Sequence, residues 1–381
     1  MSKFLLSFLF ILGTFLPLKG FALEAPAKQV ILVDYDTGNI LFEKNADERM
    51  FPSSMSKIMT IYNVFQALKD GSLQLKDNFR VSRKAWKKGG SKMFLRAGSR
   101  VNVEDLIRGI IVQSGNDACI AIAEGISGSE ALFAEELNLL AKEIGMINSS
   151  FTNSTGWPDP DHLTTIQDLL TLTVRTIEDF PELYYYYAEK EFTYSGIRQL
   201  NRNPLLFNEI NADGLKTGHT SLGGYGLVAS VLKNNRRLIL ILNGLKRNKD
   251  RSNESERLIK VGFNQYKVID LYDKNQTITN LQVWGGKKKN VAVYSKESVN
   301  FTVPNRIKKD LVFTIKHYKP LLAPIEKDQK VADLIVKNKN AEIIKKFELF
   351  SKDEIKKMSF FSKVYNNLKF LLLGDSIFKT K

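Results

Sequence analysis

The 381-residue chain contains a single cysteine, Cys119, so no intramolecular disulfide braces it. Its three histidines, His162, His219 and His317, lie far apart. No Cys/His cluster has metal-ligand spacing, and nothing in the sequence calls for a metal or another cofactor. Internal repeats are absent, as is any low-complexity stretch that would argue for disorder. The apolar run from Phe4 to Leu18 is too short for a comfortable membrane span. Lys3 precedes it and Gly20-Phe21-Ala22 follows, so residues 1–22 read as a secretory signal cleaved after Ala22.

Acids are scarce beside bases, 41 Asp+Glu against 56 Lys+Arg, for a formal charge of +15. Lys3 and Lys19 carry two of these charges, leaving +13 after the signal. Trp284 to Lys381 holds 22 Lys+Arg and 10 Asp+Glu, a net of +12, so the rest of the chain is close to neutral. On an exported protein a basic C-terminal region suits a membrane surface or a wall polymer better than nucleic acid.

What is present describes a folded protein. The composition is 43% hydrophobic and 10% aromatic, and the length allows two or three domains with cores of their own. Val30–Asp34 and Ile40–Glu43 flank the turn residues Asp36-Thr37-Gly38-Asn39, a hairpin pattern. Met55 to Leu68 is apolar nearly all round a helix, which predicts burial. Glu104–Val112 and Asp117–Ile126 read as helices flanking "QSGN", and helical texture continues to about Tyr187. Gly224–Leu232 and Arg236–Asn243, joined by Asn234-Asn235, read as a second hairpin. Strands at both ends with helices between predict an α+β domain over residues 23–270, one antiparallel sheet covered by helices. Short alternating runs then predict a small all-β sandwich over 271–350. In residues 351–381 the spacing Ile355, Met358, Phe361, Val364, Leu368, Leu371, with lysines between, predicts a basic amphipathic helix lying in a membrane interface.

Three short motifs carry chemistry. S-x-x-K occurs at Ser54/Lys57, Ser230/Lys233 and Ser376/Lys379, S-x-N at Ser114/Asn116 and Ser298/Asn300, and K-T-G once, at Lys216-Thr217-Gly218. Only Ser54 heads the order S-x-x-K, S-x-N, K-T-G inside one domain, an order shared by serine β-lactamases and penicillin-binding proteins. Residues i and i+3 share a helix face, so Lys57 reaches the Ser54 hydroxyl, which is a poor nucleophile until a base takes its proton. Burial and the neighbouring charge of Lys216 would lower the lysine pKa for that task. Ser114 is placed to relay a proton, and Asn116 to bind Lys57 and a substrate amide. Gly218 would let substrate backbone approach a strand edge. Backbone N–H groups of Ser54 and His219 would form an oxyanion hole.

The stretches "NADERMFPSSMSKIMT", "LIRGIIVQSGNDACIAIAE", "NRNPLL", "DGLKTGHTSLGGYGLVAS" and "DRSNESERLI" resemble the low-molecular-mass penicillin-binding proteins of the D-alanyl-D-alanine carboxypeptidase type, over about residues 25 to 370. The resemblance implies a β-lactamase/transpeptidase-like fold and a peptidoglycan stem pentapeptide as substrate. Ser54 would attack the penultimate D-alanine carbonyl, and Lys57 would be the base. Ser114, Asn116 and Lys216 would complete the proton network. Thr217, Arg202 and Arg251 match positions that handle the terminal carboxylate, a task suited to guanidinium. Penicillins would acylate Ser54. The implied location is the periplasmic face of the cytoplasmic membrane, with the C-terminal helix as peripheral anchor.

Plainer readings stand beside these. Ser54 alone is a common N-cap, Arg251 a surface charge, Cys119 a buried small residue, and His162 a loop or packing residue. A rival function is a serine β-lactamase that deacylates through a glutamate, for which "EELN" (Glu135–Asn138) is the available candidate.

Overall fold

The computed structural model describes residues 23–359 and Val364. The first domain is built on a five-stranded sheet of β1 (Gln29–Asp34), β2 (Ile40–Lys44), β3 (Ala212–Thr220), β4 (Gly224–Lys233) and β5 (Arg236–Leu245). Its order is β2-β1-β5-β4-β3, and every pairing is antiparallel. Both strand pairs expected from the sequence are present. Asn234 and Asn235 both have positive φ, 52° and 59°, as a tight turn matched to strand twist requires.

Both faces of this sheet are covered, and β1 shows why its sequence is apolar throughout. Ile31 and Val33 join one core, while Val30 and Leu32 join another behind the sheet. The larger core is helical: α1 (Lys57–Lys69), α2 (Val103–Ile111), α3 (Asn116–Ser127), α4 (Glu130–Glu143) and α5 (Ile166–Asp179). α1 buries Ile58, Met59, Ile61, Tyr62, Val64 and Phe65, as its all-round apolar pattern predicts. Behind the sheet lies α6 (Asn248–Gln265), whose Leu258 and Ile259 enter the second core.

The all-β domain follows directly. A two-stranded ribbon pairs β6 (Tyr266–Tyr272) with β9 (Val299–Pro304). The larger sheet contains β7 (Thr277–Trp284), β8 (Asn290–Tyr294), β10 (Val312–Lys316), β11 (Lys330–Lys337) and β12 (Ile343–Ser351). Phe301 of the ribbon and Phe347 of the sheet meet in a shared core with ring centroids 6.5 Å apart. The predicted tail helix needs one correction. Ile355, the first residue of its apolar spacing, is 1% exposed and bridges Ile325 within this core. Lys357 bridges Gly286 in the same way. The helical pattern therefore starts too early; the remainder of it, apart from Met358 and Val364, lies outside the described residues.

The two domains meet through few polar contacts. Thr37 Oγ1 lies 2.8 Å from Thr302 Oγ1, Asn39 Oδ1 accepts from the Thr302 amide at 3.0 Å, and Lys345 Nζ donates to the Thr37 carbonyl at 3.0 Å. Their buried cores are separate, apart from Tyr266 of β6, which packs against the core behind the first sheet and donates to the Leu41 carbonyl at 2.9 Å. Phe301→Ala should therefore destabilise the β-domain by about 3–5 kcal/mol and leave the first domain's own unfolding unchanged. Denaturant melts followed by a probe in each domain check this.

Candidate active site

Ser54 lies in a 3₁₀ turn, Ser53–Ser56, that runs straight into α1. It caps nothing: Ser56 holds the α1 N-cap position, and no side-chain cap bond forms there. The turn instead presents Ser54 at the edge of the cleft while Lys57 is fully buried beneath it. Lys57 Nζ lies 2.9 Å from Ser54 Oγ, 2.8 Å from Asn116 Oδ1 and 2.6 Å from the Thr155 carbonyl. Asn116 Nδ2 donates to the Gly89 carbonyl at 2.8 Å, which fixes the amide with its oxygen toward the lysine. Two of the three neighbours of the amine thus only accept. A neutral amine spends its two N–H bonds on them and turns its lone pair to the Ser54 hydroxyl. Burial lowers the Lys57 pKa to about 8, and Arg202 and Lys88 push the same way. Cys119 lies among these groups, but burial raises its thiol to about 12, so it is neutral and inert.

Residues 150–164 cradle the turn from behind. The Met50 and Thr164 backbones bond to each other, and the Ser154 carbonyl accepts from Thr60 Oγ1 at 2.7 Å. Gly156, at φ +73°, presses so closely that a Cβ would stand 1.8 Å from the Ser53 carbonyl oxygen. His162 is buried, and burial lowers its pKa to about 4. Its Nδ1 accepts from the Thr152 amide at 3.2 Å, so Nε2 carries the proton and donates to Ser56 Oγ at 2.8 Å. His162 is thus a packing residue with a definite polar task.

Ser114 lines the cleft at φ 63°, just before Asn116 opens α3. Asp117 holds this turn. Its carboxylate accepts from the amides of Met93 (2.8 Å), Leu95 (3.1 Å) and Ala118 (3.0 Å), tying the 91–95 segment to the start of the helix. Asp117, Thr155 and His162 were not identified as site residues from the sequence. An acid one residue after S-x-N was a usable signal; a backbone carbonyl carries none.

The K-T-G residues lie on the edge strand β3, against the serine turn. Lys216 is buried with Nζ 3.2 Å from the Thr217 carbonyl, and burial, then the charges of Lys57 and Arg202, hold its pKa well below the usual range. Gly218 lines the cleft, and its missing side chain also has a packing role. A Cβ there would stand 2.9 Å from the Pro52 carbonyl oxygen and 3.2 Å from Ser53 Cβ, so the glycine admits the serine turn. The exposed His219 ring stacks on Tyr225 with centroids 3.9 Å apart.

These groups open on a cleft of about 420 Å³ lined by Ser54, Ser114, Thr217 and two arginines. Arg202 Nη1 donates to Ser91 Oγ at 2.6 Å. Arg251 is 7% exposed rather than a surface charge, and burial lowers its pKa to about 10. Asn248 Oδ1 accepts from its Nη2 at 2.6 Å, while its buried Nε has no partner. No acid lines the cleft among the described residues. Glu135, the candidate deacylating acid, is exposed on α4, and Glu136 accepts from Ser127. All ten sequence-predicted site residues therefore converge: Ser54, Ser114, Arg202, Thr217, Gly218, His219 and Arg251 line the cleft, Lys57 and Asn116 bond to the serine or to each other, and Lys216 lies buried on the same strand as Thr217. Gly218→Ala should displace the serine turn and slow acylation of Ser54 by about tenfold or more, read with a fluorescent penicillin.

Comparison with known proteins places the chain in a family. The D-alanyl-D-alanine carboxypeptidase family model matches residues 19–246, and the model for the C-terminal domain of penicillin-binding protein 5 matches residues 266–357. D-alanyl-D-alanine carboxypeptidase DacC of Escherichia coli (strain K12) is 38% identical over 354 residues, covering 90% of this chain and 88% of its own. Penicillin binding protein 5 from Haemophilus influenzae superposes with a TM-score of 0.81 at 35% identity, covering 88% of this chain and 99% of that one. Penicillin-binding protein D2 from Listeria monocytogenes, in its ampicillin-bound form, gives a TM-score of 0.59 at 27% identity, covering 64% and 99%. The chain belongs to the D-alanyl-D-alanine carboxypeptidase family.

Proposed function

We propose that this chain is a serine-type carboxypeptidase that removes the terminal D-alanine from peptidoglycan stem pentapeptides, with Ser54 as the nucleophile. The observation that carries the reading is the Lys57 amine, 2.9 Å from Ser54 Oγ and held by two acceptors, in a cleft with two arginines. Neutral Lys57 takes the Ser54 proton as Oγ attacks the penultimate D-alanine carbonyl carbon. The Ser54 and His219 amides hold the oxyanion. The C–N bond breaks as the leaving amine gains a proton through Ser114, and D-alanine departs. Water then hydrolyses the ester on Ser54 and restores the hydroxyl. Arg202, Arg251 and Thr217 hold the leaving residue's carboxylate, and Asn116 the amide on the acyl side. Penicillins, which mimic the dipeptide, form the same ester; the ampicillin-bound neighbour supports this reading.

Residues 1–22 act as the export signal, and the segment after Ser359 anchors the protein to the outer face of the cytoplasmic membrane. The anchor test is set by the fold. Deletion of 360–381 removes no described strand and should release an active protein into the soluble fraction; persistent membrane binding of that protein would sink the anchor.

The parent chain should release D-alanine from a soluble peptide ending in D-Ala-D-Ala, and Ser54→Ala should lower the rate about a thousandfold or more. Undiminished release by the variant overturns the assignment. Because the base is the deprotonated amine, kcat/KM should rise about tenfold per pH unit below the Lys57 pKa of about 8 and level off above it. A profile that falls across this range would exclude Lys57 as base.

A further inference from the structure

We propose that Trp157 and Lys88 form a subsite for the acyl side of the substrate, where a carboxylate upstream of the scissile bond is recognised. This rests on the reading of the cleft given above. Trp157 follows Gly156, the residue pressed on the Ser53 carbonyl, and its 42%-exposed indole packs against Gly89 and Gly90. Lys88 Nζ lies 4.2 Å from the centre of a Trp157 ring, a cation–aromatic contact. The 88–91 loop gives the pair its direction. At one end, Ser91 Oγ accepts from Arg202, one of the carboxylate-binding pair. In the middle, the Gly89 carbonyl holds Asn116. Gly89 and Gly90 both pack against the indole, and a Cβ on Gly90 would stand 3.2 Å from Trp157 and 2.9 Å from Asn116 Nδ2, so Trp157 and Asn116 flank the same stretch of loop, with Lys88 beyond it. A substrate whose terminal carboxylate occupies the arginine end, and whose amide meets Asn116, continues toward Trp157.

The charge there fits an acidic chain. Arg80 to Arg100 holds eight Lys/Arg and no Asp/Glu. Among the described residues its one ion pair is Lys84–Glu130 at 2.8 Å. Glu130, the acid that acts on Lys88, is thereby already engaged, and it also accepts from Ser154 Oγ at 2.8 Å. Lys88 is left with an aromatic face and no carboxylate of its own. The indole supplies flat apolar area at low entropic cost, and the lysine selects for charge.

The test uses the full chain carrying Ser54→Ala, so that binding is read without turnover. Two synthetic pentapeptides ending in D-Ala-D-Ala serve as probes, one with free carboxylates on its upstream residues and one with those groups as carboxamides. Calorimetry should give about fivefold tighter binding of the acid form, lost at high salt. Adding Lys88→Gln should abolish the preference, Lys88→Arg should retain it, and Trp157→Ala should weaken both peptides about equally. No preference in the parent, or a preference that survives Lys88→Gln, overturns the proposal. A chain with the native serine that releases no D-alanine yet binds the acid peptide through Lys88 would sink the proposed function and keep this subsite.

Discussion

The site depends on the direction of one lone pair. Lys57 Nζ has three neighbours, and two of them, the Thr155 carbonyl and Asn116 Oδ1, have nothing to donate. The third is Ser54 Oγ. Burial makes the neutral amine accessible near neutral pH, and the two acceptors then leave its basic electron pair one place to point. The asparagine performs this task only because the Gly89 carbonyl fixes its amide. A backbone carbonyl in a glycine-rich loop thus sets the orientation of the Lys57 amine.

The fold exists around this constraint. The turn with Ser54 is clamped between β3, where Gly218 has no side chain to hold it off, and the 150–164 cradle, where Gly156 plays the same part. α3 brings Asn116, and Asp117 secures its first turn. Four segments from across the domain therefore meet within a few ångströms of Lys57. Each contributes a backbone group or a missing Cβ as much as a side chain. Burial works against positive charge at Lys57, Lys216 and Arg251 alike and lowers the proton affinity of each, although Arg251, at about 10, stays charged at neutral pH.

Much of this was legible in the sequence because the needed residues are chemically distinctive. Ser54, Lys57, Ser114, Asn116 and Lys216 announce themselves by type, spacing and order. The hairpins were legible because Asn-Asn and Asp-Thr-Gly-Asn turns are local. What was missed is non-local or carried by backbone: Thr155 contributes a carbonyl, and His162 acts through Ser56. The packing of the serine turn on Gly218 was also illegible, because sequence cannot say which neighbour fills a missing side chain. The tail pattern began too early because Ile355 keeps the three-to-four spacing by coincidence while bridging Ile325.

The central sheet has a further consequence for how the protein comes into being. β1 pairs with β5 along its whole length, Gln29 opposite Asn243 and Asp34 opposite Leu238. The first strand made thus waits for nearly the last residues of its domain before it has an inner neighbour. Until then the K-T-G strand has only its hairpin partner β4, and the strand nearest the N-terminus is held by neither. The sheet that carries K-T-G is thus completed only when the two ends of the domain join.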